Sequence, residues 1–107
     1  MKMDYQSRRW KQKQKHILRL DQWTDRVMKR YGITREATTV HHIYPADEFP
    51  EYQWEDWNLI SVSVGTHNKL ENRRTKELSK LGKELQRRTR IGIDWRQNGT
   101  KRKAGRS

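Results

Sequence analysis

The chain has 107 residues, no cysteine, 31% hydrophobic and 36% charged residues, and a formal net charge of +12 from 25 Lys plus Arg against 13 Asp plus Glu. That length fits one small domain; the missing thiols exclude disulfides and cysteine-ligated zinc, and no apolar run approaches the roughly 20 residues that span a bilayer. The basic N-terminus has no apolar segment behind it, so no secretory signal is expected, and the composition predicts a cytoplasmic, cationic domain that binds polyanions and no membrane.

The charge is segregated: residues 1–15 carry a net +5, residues 16–67 a net −3 and residues 68–107 a net +10. Ser7 to Leu20 predicts a helix capped by Ser7, with Trp10, Ile17 and Leu18 on one stripe and Arg8, Arg9, Lys11, Lys13 and Lys15 on the other face. Asp21 to Tyr31 predicts a second short helix, on the i, i+4, i+8 recurrence of Trp23, Val27 and Tyr31, stopped by Gly32. Trp10, Trp23 and the leucine stripe further on read as core, and His16 as structural or surface. Thr38 to Tyr44, rich in β-branched residues and closed by Pro45, predicts a strand.

Residues 46–57 hold five acids and no base and predict a loop, part of which packs on the domain through Phe49, Tyr52, Trp54 and Trp57. Asn58 to Val62 alternates weakly and predicts a second short strand. Gly65-Thr66 then opens a helix capped by Thr66, with Leu70, Leu78, Leu81 and Leu85 on one stripe. Gly82 weakens that helix by roughly 1 kcal/mol relative to alanine. Beyond Gly92 the apolar pattern thins, and residues 97–107 predict a flexible basic tail.

Three of the four histidines, His41, His42 and His67, fall in this strand–loop–strand–helix segment. Adjacent strand residues point to opposite faces, so His41 and His42 cannot do the same job. If one faces a metal shared with His67, the other is free to act on a nearby water. His67 would sit in the first turn of its helix, where the helix dipole favours an anion such as a phosphate. By spacing alone, however, the pair also reads as half-buried packing or solvated surface.

Val40-His41-His42-Ile43-Tyr44-Pro45, then Asp56-Trp57-Asn58-Leu59-Ile60, then His67-Asn68-Lys69, resembles the HNH motif of the ββα-metal (His-Me finger) endonucleases. More narrowly it is similar to small phage-encoded HNH proteins, over residues 38–74, and the basic stretch from Tyr5 to Asp21 resembles them too. The implied fold class is α+β: a small ββα-metal core with flanking basic helices, in a single HNH nuclease domain over 1–107 with its ββα motif at 38–88.

By that resemblance His42 is the general base that deprotonates the attacking water. His41 is the metal ligand just before it, where relatives often have Asp. Asn58 is the middle Asn that braces the loop between the strands and orients the base, and His67 is the terminal metal ligand. Glu71, one helical turn beyond His67 where the nuclease colicins place a further histidine, is an added candidate ligand, direct or through water. The other reading of Glu71 is a surface pair with Arg74 or Lys69. Many phage relatives bind a structural zinc through two CxxC pairs; the matching positions here are Asp25 and Met28, then Ser63 and Thr66. Zinc does not favour that set, so no structural zinc is expected, and aromatic packing is expected in its place.

The implied reaction is hydrolysis of DNA phosphodiester bonds, by nicking or double-strand cleavage, with one divalent metal ion (Mg, Mn, Ni or Zn). With an ordinary pKa near 6.5, His42 is expected to be poised as a base around neutral pH. Arg8, Arg9, Lys11, Lys69, Arg73, Arg74, Lys76, Lys80, Arg87 and Arg88 are the candidate phosphate contacts on duplex DNA, and the lack of a base-reading array predicts weak sequence preference. Acids at 47–56 are expected to prevent non-productive phosphate contacts near one edge. The resemblance suggests a phage setting, with packaging proteins such as terminase as partners. Two other readings stay open: a non-catalytic DNA-binding module with an HNH-like fold, and a basic RNA-binding protein that stacks bases on Trp and Tyr.

Overall fold

The computed structural model describes residues 3–96, so the predicted basic tail at 97–107 lies outside the described residues. Helix α1 (Arg8–Leu20) starts where the Ser7 hydroxyl accepts the Trp10 N–H at 3.1 Å, and it buries Trp10, Ile17 and Leu18. At its far end the buried Asp21 carboxylate accepts the Ser61 N–H at 3.0 Å and holds Arg96 through two guanidinium nitrogens, at 2.5 and 2.9 Å. The short helix α2 spans Arg26–Lys29. Strands β1 (Thr39–His42) and β2 (Leu59–Val62) pair antiparallel, with His41 opposite Ile60 and His42 opposite Leu59. Helices α3 (Val64–Leu70) and α4 (Lys80–Arg88) follow.

A two-stranded sheet alone is marginal in water. Here helices cover both faces. Ile43, Ile60 and Val62 pack against Val27 and Met28 of α2, Leu70 of α3 and Leu85 of α4. On the other face Val40 and Leu59 pack against Trp10, Ile17 and Leu18 of α1. Every residue of β2 is buried, which is why its sequence alternates so weakly. No helix among the described residues is long and apolar enough to cross a membrane.

Three expectations are corrected. The helix predicted over Asp21 to Tyr31 shrinks to α2, because the Asp25 carboxylate accepts the Val27 and Met28 N–H groups and starts the helix there. Gln22 and Trp23, each at φ 55°, lie in the preceding turn, so Trp23 is 44% exposed instead of in the core. The long helix predicted from Thr66 breaks in two. Ser63, not Thr66, caps α3; Glu71 then turns extended and pairs with Leu78. The Asn72 side chain accepts the Arg74 and Thr75 N–H groups, and Ser79 caps α4.

The break has a packing reason at Gly82. A Cβ there would lie 2.2 Å from the Leu70 carbonyl oxygen, so the glycine lets α4 press on the end of α3. In the acidic loop, Pro50–Tyr52 and Asp56–Asn58 form single 3-10 turns. Tyr44, Phe49, Tyr52 and Trp57 pack there ring against ring.

Candidate active site

Strand parity sends the two adjacent histidines to opposite faces of the sheet. His41 points to the α3 side and is fully buried, and neither of its ring nitrogens has a hydrogen-bond partner among the described residues. Burial, reinforced by His67 and then His42, pushes its pKa well below the ordinary histidine value. The ring is therefore neutral at physiological pH and keeps a lone pair. Glu71 sits between two histidines, with Oε1 3.6 Å from His41 Nδ1 and Oε2 3.7 Å from His67 Nε2. The His41 and His67 ring centroids are 5.2 Å apart. One ligand atom from each of the three residues lies within 4.8 Å of the others.

Leaving a buried polar atom without a partner costs about 1–3 kcal/mol. An ion bonded to His41 would remove that cost for one nitrogen, and two imidazoles plus a carboxylate form a donor set that suits Mn, Ni or Zn. The residues fit a divalent cation. Glu71 reaches both histidines because the chain leaves the helix at that point, and it forms no ion pair with Lys69 or Arg74 among the described residues.

His42 faces α1 and is 7% exposed. Its Nε2 lies 3.2 Å from the Gln53 carbonyl oxygen. A carbonyl only accepts, so Nε2 carries the hydrogen and Nδ1 keeps the basic lone pair. Burial lowers the His42 pKa to about 4, against opposing contributions from the Gln53 carbonyl and Glu71. That corrects the expected poise near 6.5. The imidazole is a weaker base than a free one, but it is neutral throughout the physiological range.

Asn58 is fully buried. Its Oδ1 accepts the Tyr44 N–H at 2.7 Å, and its Nδ2 donates to the Tyr44 and Tyr52 carbonyls, both at 3.1 Å. None of these hydrogen bonds goes to His42. Asn58 ties the chain two residues after His42 to the chain one residue before Gln53, and so fixes the carbonyl that meets the His42 ring.

No family model and no curated protein matches the chain. Among solved structures, the chain is similar to the crystal structure of the HNH endonuclease of the deep-sea thermophilic bacteriophage GVE2 with manganese ion. The TM-score is 0.57 at 25% sequence identity, over 60% of this chain and 70% of that one. The chain has an HNH-like ββα fold. This likeness, with the His41/His67/Glu71 group, supports a nuclease-like function.

In this HNH-like frame the four positions matched to zinc cysteines are joined by hydrogen bonds. Asp25 Oδ1 accepts the Val27 and Met28 N–H groups at 3.1 and 2.9 Å, and Oδ2 accepts the Ser63 N–H at 2.9 Å. The Ser63 hydroxyl accepts the Thr66 N–H at 3.1 Å and lies 3.0 Å from the Thr66 hydroxyl. The Asp25 carboxylate joins the two segments directly, and Trp95 and Tyr44 pack against the core cluster that contains Met28 and Val62.

All ten candidate phosphate-contacting residues are exposed. Arg73 and Arg74 line one shallow, open stretch of surface with Asn68, Asn72 and the candidate metal ligand Glu71. Arg8 and Lys11 line a separate concavity on α1 with Gln6, Gln12 and Lys15. The Arg9 guanidinium carbon sits over the Trp54 ring, 3.8 Å from its centroid, and Arg88 pairs with Glu84 at 3.3 Å. His16, read as structural or surface, joins Lys13 in holding Asp56, at 3.4 and 2.5 Å. Two contributors went unread in the sequence. The Gln53 carbonyl is a backbone group with no sequence signal, and Trp10, read only as core, stacks on His42.

Proposed function

We propose that this chain is a metal-dependent DNA endonuclease that hydrolyses phosphodiester bonds with one divalent ion and a histidine base. His41, His67 and Glu71 would hold the ion, which when bound supplies Lewis-acid stabilisation of the charge that develops on the phosphate and the departing 3′ oxygen. His42 Nδ1 accepts the proton of the attacking water, while Nε2–H stays on the Gln53 carbonyl. Asn58 keeps that carbonyl in place from behind. Arg73 and Arg74 hold backbone phosphates over the open surface beside Glu71, and the α1 bases extend the grip along the duplex.

One observation carries the reading: a fully buried histidine whose two nitrogens have no hydrogen-bond partner among the described residues faces His67 and Glu71, while its neighbour in the strand keeps a basic nitrogen on the other side. A DNA- or RNA-binding module has no use for such an arrangement. Double-stranded DNA in the cytoplasm of an infected cell is the proposed substrate, and a phage origin with packaging partners such as terminase follows from the resemblance alone. Manganese, the ion in the GVE2 structure, is the first to try.

The test is relaxation of supercoiled plasmid by wild type and His42→Ala with Mg, Mn, Ni or Zn. Wild type nicks or linearises the plasmid with at least one metal and not in EDTA. His42→Ala loses about 100-fold or more of the rate while retaining DNA binding in a mobility shift. Cleavage by both proteins at one rate, or by neither with any metal, would refute the proposal.

A further inference from the structure

On the α1 side of the sheet the Trp10 indole lies face to face with the His42 ring, centroids 5.1 Å apart and planes 20° from parallel. Trp10 is only 4% exposed, and its own orientation is fixed by neighbours. Tyr5 packs edge-on to it at 5.5 Å, and Trp54 lies at 6.3 Å. Tyr5 also meets His42 edge-on, at 6.1 Å and 69°.

The second side-chain torsion of histidine is broad and nearly two-fold. The single bond from Nε2 to the Gln53 carbonyl fixes one corner of the ring but not its plane. A stacked indole fixes the plane, because rotating the imidazole would drive its edge into the Trp10 face. A place on the apolar stripe with Ile17 and Leu18 requires only a large apolar side chain. The stack requires an aromatic one.

On the reading of His42 as the base, we infer that Trp10 is a positioning residue for water activation, fixing the plane of the His42 ring and so the direction of its Nδ1 lone pair. Helix α1 is then a wall of the site as well as a grip on DNA. Misplacing a reacting group by about 1 Å can cost about 100-fold in rate, so the stack acts on turnover more than on binding.

The experiment compares wild type, Trp10→Leu, Trp10→Phe and His42→Ala, with folding checked by circular dichroism and thermal melts. Trp10→Leu is expected to lose about 10- to 100-fold in kcat with KM and manganese affinity unchanged, and Trp10→Phe to recover most of the loss. A second readout needs no activity: long-range 1H–15N NMR of the metal-free protein. Wild type should show one His42 form, hydrogen on Nε2 and none on Nδ1, and Trp10→Leu a mixture of both tautomers. A folded Trp10→Leu with wild-type kcat and a single tautomer overturns the proposal. Should Trp10→Leu not fold, the wild-type NOE between the Trp10 indole and the His42 ring decides, and its absence overturns the proposal. Wild-type cleavage by His42→Ala would instead sink the base reading, whatever the Trp10 variants do.

Discussion

The Asp25 carboxylate accepts the Ser63 N–H at 2.9 Å while also capping α2, so one side chain joins the starts of α2 and α3. The cap contacts are buried and the Ser63 contact is part-buried. Asp25→Ala is expected to lose the cap, about 1 kcal/mol, and to strand the Ser63 N–H, about 1–3 kcal/mol. A lowered urea midpoint at unchanged slope reads the sum. Asp25→Asn, which keeps one accepting oxygen, should lose less.

Glu71 turns one carboxylate oxygen to each of two histidines. Manganese at 100 times its Kd should stabilise wild type by about 2.7 kcal/mol, seen as a raised Tm. Glu71→Gln and His67→Ala should lose most of that rise. An equal rise in both variants would remove these residues from the metal site.

Gly82 is a contact residue. Alanine is the better helix former by about 1 kcal/mol, yet its Cβ would meet the Leu70 carbonyl at 2.2 Å. Backbone cannot swing aside as a side chain can, so the clash wins, and Gly82→Ala should destabilise by about 1–3 kcal/mol. Leu70 immediately precedes Glu71, so manganese affinity should fall as well; calorimetric titration of the folded variant measures it.

Asp56 gives a pH signature. Burial works to raise its pKa, but the hydrogen bond and charge of Lys13, helped by His16, hold it below the ordinary carboxylate value of 3.8. A carboxylate with a depressed folded-state pKa contributes stability in full above its unfolded pKa and loses it as pH falls through the folded one. Lys13→Met should therefore cost about 0.2–1 kcal/mol at pH 6, as partly exposed pairs do. The difference from wild type should shrink as pH falls below 3.8 and through the depressed folded-state value, measured by denaturant melts across the range.

What could be read in the sequence was what is decided locally. Ser7 caps α1 because a serine before an amphipathic run does so in any context, and β-branched residues around His41 and His42 mark a strand. The motif residues stand close enough along the chain for a pattern to gather them. What could not be read depends on partners far away. The leucine spacing from Leu70 to Leu85 fits one helix, and only the pairing of Glu71 with Leu78 and the pressure of Gly82 on Leu70 show that there are two. Asn72, which accepts the Arg74 and Thr75 N–H groups, and Ser79, which caps α4, mark the break locally. Trp23 recurs with Val27 and Tyr31 at helical spacing, but the capping bonds of Asp25 win, and the indole is left outside. Trp10 was correctly sent inward by its stripe. A stripe does not say which ring waits there.

His41 and Asn58 are buried as completely as Ile43 and Leu59. The chemical machinery and the interior that holds the fold are thus made partly of the same side chains. An apolar residue of similar volume in place of His41 would therefore remove two buried nitrogens that lack partners among the described residues and stabilise the metal-free domain, while taking one donor from the candidate metal group.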